Sequence, residues 1–153
     1  MNRKNKFALL LLLSIGAAVA AEVPDPKLSP GVVDPALTTQ VICAKGWSTT
    51  TVRDVPESLK KQVYARYGVQ PHQGYCSGPQ SCEIDHIIPL TAGGANDINN
   101  LWPQPYDGTW NAHLKDKLEV KLHSLVCSGQ IPLAQAQKEI ATDWRVAYQK
   151  YMK

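Results

Sequence analysis

Two short apolar runs separated by a glycine pair constrain this chain more tightly than any other feature. Cys82 to Pro89 holds the β-branched residues Ile84, Ile87 and Ile88, and Pro89 closes the run, which predicts a short strand. Thr91 to Asp97 carries Gly93-Gly94 and Asn96-Asp97 and reads as a turn or loop. Ile98 to Trp102 predicts a second strand, ended by Pro103 and Pro105.

Helix-period patterning flanks this unit. From Pro56 to Tyr67, Leu59, Val63, Tyr64 and Tyr67 recur at three and four, and Gly68 follows as a stop. Beyond Pro105, Asp107 or Thr109 is placed to cap a helix with the stripe Leu114, Leu118, Leu122 and Leu125. Its Lys115, Asp116, Glu119 and Lys121 are expected to face water, and Gly129 ends it. Pro132 falls in the first turn of a last helix whose stripe is Leu133, Ala136, Ile140, Trp144 and Ala147. Val41-Ile42 favour a strand, and Val69 to Ser81, rich in Gly, Pro, Gln and Ser, reads as a loop. The pattern is α+β, with little sheet and several helices.

The first residues read differently. Arg3, Lys4 and Lys6 precede an apolar run from Phe7 to Val19, and Ala18-Val19-Ala20 supplies the small residues a signal peptidase accepts. Residues 1–21 are therefore expected to be a signal peptide. Residues 22–37, with Pro24, Pro26, Pro30 and Pro35, read as an extended or flexible arm, and 38–153 as a single domain. The apolar run is short for a membrane span. The expected mature protein is exported, periplasmic or secreted, without lasting membrane attachment. Its roughly 130 residues suit one domain with a modest core.

The leader also carries the charge excess. The chain has 16 Lys plus Arg against 13 Asp plus Glu; without Arg3, Lys4 and Lys6, thirteen stand against thirteen. Overall basicity thus gives no support to nucleic-acid binding, and any electropositive surface must be local. Cys43, Cys76, Cys82 and Cys127 all follow the leader, and an even count in an oxidising compartment reads as two disulfides. Three pairings are open. Cys76–Cys82 would close a short loop turned at Gly78-Pro79, leaving Cys43–Cys127 to tie an early segment to a late helix. A zinc–thiolate site is the competing reading, but the chain has no CxxC pair.

Asp85-His86 lies in the first predicted strand, and Asn100 follows His86 by fourteen residues. A carboxylate suits a hard divalent cation, and an imidazole that titrates near neutrality suits a general base. Together with a second ligand from a helix, these are the parts of a phosphodiester-cleaving site. Asp85-His86-Ile87-Ile88-Pro89, then Gly93-Gly94, then Asn100-Leu101, resembles the HNH endonuclease family with its ββα-metal finger. The resemblance covers about thirty residues, Glu83 to His113.

That resemblance implies a hairpin bearing the Asp-His pair, a following helix (core motif 82–126), and one divalent metal between them. The helical patterning and the four cysteines would set this finger among additional helices in a disulfide-stabilised fold. Mg2+ is the favoured metal, with Mn2+, Ni2+ and Zn2+ as alternatives. Asp85 would be a metal ligand, His86 the general base, and Asn100 the asparagine whose carbonyl orients the imidazole. Family members usually carry an Asn or His about nine residues after that asparagine, often in a CxxC frame; Thr109 stands there instead. Asn111 and His113 are the alternatives for the helix ligand, and being two apart they face different ways; Asn111 is preferred.

The resulting expectation is an exported, metal-dependent endonuclease acting on DNA, or also RNA, with little sequence specificity. The alternative is a non-catalytic, disulfide-bonded binding module of the cell envelope. A third reading pairs Glu83 with Asp85 as the two carboxylates of a different hydrolase, leaving His86 and Asn100 idle; Glu83 is otherwise expected to be solvated. His72 and His123 show no partner spacing and read as surface residues, and Trp102, Trp110 and Trp144 read as core. Lys115, Lys117 and Lys121 read as a solvated helix face, and Arg53, Lys60, Lys61 and Arg66 as weak phosphate-contact candidates.

Overall fold

The computed structural model describes residues 21–69 and 81–153. The expected leader, most of the Val69–Ser81 loop, His72 and the Cys76 end of the Cys76–Cys82 pairing therefore lie outside the described residues. The elements in order are α1 (Thr39–Ile42), α2 (Glu57–Arg66), β1 (Cys82–His86), β2 (Leu101–Pro105), α3 (Ala112–Cys127) and α4 (Leu133–Tyr151). No described helix is long and apolar enough to cross a membrane. Val41-Ile42, expected in a strand, form α1 instead, because the Val41 and Ile42 amides close locally onto Thr38 O.

Strands β1 and β2 pair antiparallel, with Glu83 opposite Gln104, Asp85 opposite Trp102 and His86 opposite Leu101. The second strand runs three residues past its expected end, through Pro103 and Pro105. The Tyr106 amide donates to Ser81 O at 2.9 Å, so even-numbered amides of β2 face β1 and the two proline nitrogens face away. In a two-stranded sheet that outer edge demands no donor. Ile98–Asn100, expected to begin the strand, form a 3-10 turn because the Asp97 carboxylate captures the Asn99 amide at 2.8 Å.

The loop joining the strands needs its glycines. Gly93 has φ 74°, the left-handed region. A Cβ on Gly94 would stand 1.7 Å from Ile88 O and 2.8 Å from the Asn100 amide nitrogen. We expect Gly94→Ala to cost about 3 kcal/mol by forcing this backbone apart, read as a fall in the urea midpoint at unchanged slope.

Helices α3 and α4 pack on this hairpin and supply most of the core: Leu118, Leu122, Val126, Ala136, Ile140, Trp144 and Ala147 are all buried with Ile88 and Ala92. The α4 stripe falls as its spacing predicts, although Leu133 is only half-buried. The inward face of α3 is rotated: Ala112, Lys115, Leu118, Leu122 and Val126 are buried, while Leu114 and Leu125 are only half so. Asn111, not Asp107 or Thr109, caps α3, its Oδ1 accepting the Leu114 amide at 3.2 Å. The α4 backbone breaks at Asp143 (φ −162°), whose carboxylate accepts the Arg145 amide at 2.9 Å and recaps the last turns.

Residues 22–37 carry turns closed by the Ser29 amide onto Asp25 O and the Leu37 amide onto Asp34 O, and they are docked on the finger and α4. Ser29 Oγ donates to Leu101 O at 2.8 Å, the Gly31 amide to Asn99 O at 2.9 Å, and the Asp34 amide to Gly93 O at 2.9 Å. Farther back, Trp144 Nε1 donates to Glu22 O at 2.9 Å. Arg66, a phosphate candidate by sequence, instead donates to Leu28 O and Asn99 Oδ1, both at 2.9 Å, and so fastens this strap to the finger. A Cys43–Cys127 disulfide joins the end of α1 to the end of α3, with Cα atoms 5.4 Å apart. Closing a loop of 84 residues removes unfolded-state entropy worth about 4.5 kcal/mol.

Candidate active site

His86 ends β1 and is buried, with 2% of its surface exposed. Its Nε2 lies 3.0 Å from Asn96 Oδ1, and Asn96 Nδ2 in turn donates to Val52 O at 2.6 Å. Because the amide nitrogen of Asn96 is committed to a carbonyl, its oxygen is the atom facing the imidazole. Nε2 therefore carries the proton, and Nδ1 keeps its lone pair. Burial holds the His86 pKa below the ordinary imidazole value against the opposing pull of Asp85 and Asn96, so the ring is neutral at pH 7.

Asn100 does a different job from the one its register suggests. Its Oδ1 accepts the amides of Ile88 at 2.9 Å and Val32 at 3.2 Å, and its Nδ2 donates to Ile88 O at 3.0 Å and Ala95 O at 2.9 Å. All of this carboxamide is spent on backbone. It holds the loop after the Asp-His pair against the strap, and the orienting of the imidazole falls to Asn96. The sequence offered Asn96 only as a turn residue, since its partner Val52 is remote in the chain.

Asp85 faces α3. Its Oδ2 accepts Lys115 Nζ at 2.6 Å, and the same ammonium donates to His86 O at 2.7 Å and to the Glu119 carboxylate. Lys115 was expected in water and is 1% exposed. Burial lowers its pKa, but the Asp85 and Glu119 charges more than offset that and hold it above the ordinary lysine value, so it stays charged. Burial raises Glu119 despite the Lys115 charge. Glu83, expected to be solvated, is half-buried and accepts the Tyr106 hydroxyl at 2.8 Å. Its pKa is raised first by burial, as is that of Asp116, and the charge of Asp85 adds to both. Burial and Glu83 push the Tyr106 phenol up to about 12, which keeps it a donor.

Neither expected helix ligand faces Asp85 as a ready donor. Both ends of the Asn111 carboxamide are used in capping, Nδ2 donating to Gly108 O at 3.0 Å. His113 is exposed and stacks on Tyr106 with centroids 5.5 Å apart. Among the described residues no three His, Cys, Asp or Glu ligand atoms converge on Asp85. The donor chemistry nonetheless fits a hard cation. Glu83, Asp85, Asp116 and Glu119 feel one another's charge, and only one ammonium is buried among them. Only the Oδ2 atom of Asp85 is engaged by Lys115, so Oδ1 stays available. A cation such as Mg2+ is held by one or two carboxylates, with water and substrate oxygens completing its shell, and this set suits that mode better than a full protein cage.

Elsewhere, Cys43, His123 and Cys127 bring their ligand atoms within 4.8 Å of one another, but the disulfide uses both sulfurs. His123 is therefore not a bare surface residue: Nε2 lies 3.0 Å from Ile42 O and its ring stacks on Trp47. Residues 73–103 match the model of the HNH endonuclease family, described as HNH endonuclease. No curated protein matches the chain, and no solved structure does. The matched segment ends within β2 and contains Asp85, His86, Asn96 and Asn100, so the chain's similarity to that family covers the hairpin and its loop.

Proposed function

We propose that the protein is an exported, metal-dependent endonuclease that hydrolyses phosphodiester bonds of DNA, and of RNA as a further substrate, with little sequence specificity. The observation that carries this reading is the neutral imidazole of His86, fixed by Asn96 so that Nδ1 is the free base, beside the Asp85 carboxylate. His86 takes the proton of the attacking water. Asp85 would hold the divalent metal, with the Asp116 carboxylate, which feels its charge, as a further donor on α3. The bound metal supplies charge stabilisation at the scissile phosphate and the leaving oxygen. Lys115 keeps Asp85 and the His86 carbonyl in place, so base and ligand keep a fixed spacing.

The test is nicking of supercoiled plasmid by the mature protein with Mg2+, with EDTA, and with Mg2+ restored. Cleavage that needs the metal supports the reading. DNA retention without turnover at any metal concentration would point to a binding module and overturn it. The acid limb of kcat/KM should lie below pH 6.5, because burial lowers the pKa of His86 and the base form persists below the ordinary imidazole value. An acid limb above that value would contradict a buried neutral base.

A further inference from the structure

Arg53 lies outside the segment matched by the family model, yet the fold delivers it to the finger. Ser48 caps a 3-10 turn at Thr49–Thr51, and the Arg53 amide closes that turn onto Thr49 O at 2.9 Å. The preceding residue, Val52, is tethered through its carbonyl to Asn96, the same side chain that orients His86. One carboxamide thus sets both the imidazole and the start of the Arg53 segment. Arg53 itself is exposed, and among the described residues its guanidinium makes no hydrogen bond or ion pair. It lines a cleft of about 540 Å3 with Lys60, Tyr64, Glu83 and Tyr106, and its charge reaches both His86 and Asp116.

Three other cations around the finger are engaged elsewhere. Lys115 is saturated by Asp85, Glu119 and His86 O; Arg66 is spent on the strap; Lys60 pairs with Glu57 at 2.6 Å. We infer that Arg53 is the phosphate-binding residue of this site, its guanidinium fork gripping non-bridging oxygens of the phosphodiester presented to His86. A planar fork matches two phosphate oxygens at once, and a fixed backbone lets it do so with little ordering cost. The inference rests on the nuclease reading.

Three measurements test it on Arg53→Ala and Arg53→Lys. Because Arg53 is exposed, both variants should keep the wild-type unfolding midpoint. Cleavage of a defined oligonucleotide duplex with Mg2+ should lose about a hundredfold in kcat/KM in Arg53→Ala. Binding of the same duplex in EDTA, where no turnover occurs, should lose about one unit from the slope of log K against log salt in Arg53→Ala. Arg53→Lys should restore that slope but not the full rate. Unchanged slope and rate in Arg53→Ala, with wild-type cleavage intact, would overturn the contact alone. A wild-type protein that cleaves nothing, yet loses the slope unit in Arg53→Ala, would sink the nuclease reading and leave the phosphate contact standing.

Discussion

His86→Ala is expected to lower the single-turnover rate of plasmid nicking by about a thousandfold, the scale of a positioned general base. The loss should fall on kcat and leave binding of uncleaved DNA in EDTA close to wild type, since the imidazole acts on water and not on the phosphate. The variant also forfeits the Asn96 contact and leaves a small void, so its stability should fall by about 2 kcal/mol without loss of fold. Far-UV and near-UV circular dichroism checks the second point. Wild-type-like nicking by the folded variant would refute the assignment of the base. Asn96→Leu should be milder: it keeps the imidazole but frees its tautomer, which we expect to lower the rate by about tenfold.

The second large effect lies in stability. Lys115→Met removes the only ammonium buried between Asp85 and Glu119, whose side chains are 16% and 17% exposed. Breaking a buried ion pair from one side costs about 3 kcal/mol or more, because the remaining charges are left uncompensated. The deficit should depend on pH in a definite direction. In the wild type the Glu119 pKa already lies above its unfolded value of 4.5, and losing Lys115 raises it further. Such a raised carboxylate contributes its stability below the unfolded pKa and loses it as pH rises through the folded one. The gap between variant and wild type should therefore be small at acid pH and widen toward neutrality and beyond. Adding Glu119→Leu should recover part of it. Urea denaturation across that range measures the effect, and a pH-independent gap would mean that Lys115 acts by packing alone.

Local chemistry was legible in the sequence, and remote partnership was not. The hairpin, the glycine loop and the helices α2, α3 and α4 follow from β-branched runs, turn residues and apolar spacing, which depend on neighbours in the chain. The α3 face was misjudged because hydrophobic spacing treats a lysine as solvated, whereas Lys115 is paid for by carboxylates on β1 and one turn ahead. Asn100 stands out in the sequence by its register, yet the imidazole is met by Asn96, whose tether at Val52 lies 44 residues away. The proline-rich strap carried no periodic signal, since its order comes from backbone bonds to Gly93, Asn99 and Leu101. Pro103 and Pro105 hid part of β2 for a related reason: whether a missing donor matters depends on which edge it faces.

The strap also bears on the rate of folding. Its bonds to the finger span about seventy residues, the disulfide spans 84, and the Trp144 bond to Glu22 spans 122. A chain this rich in helix would ordinarily fold fast, through local contacts. Here the loop that Asn100 holds is completed by residues near one end of the described chain, and the anchor of those residues is in the last helix. The refolding rate should accordingly be set by long-range loop closure, with the site forming late and in a single step with α4.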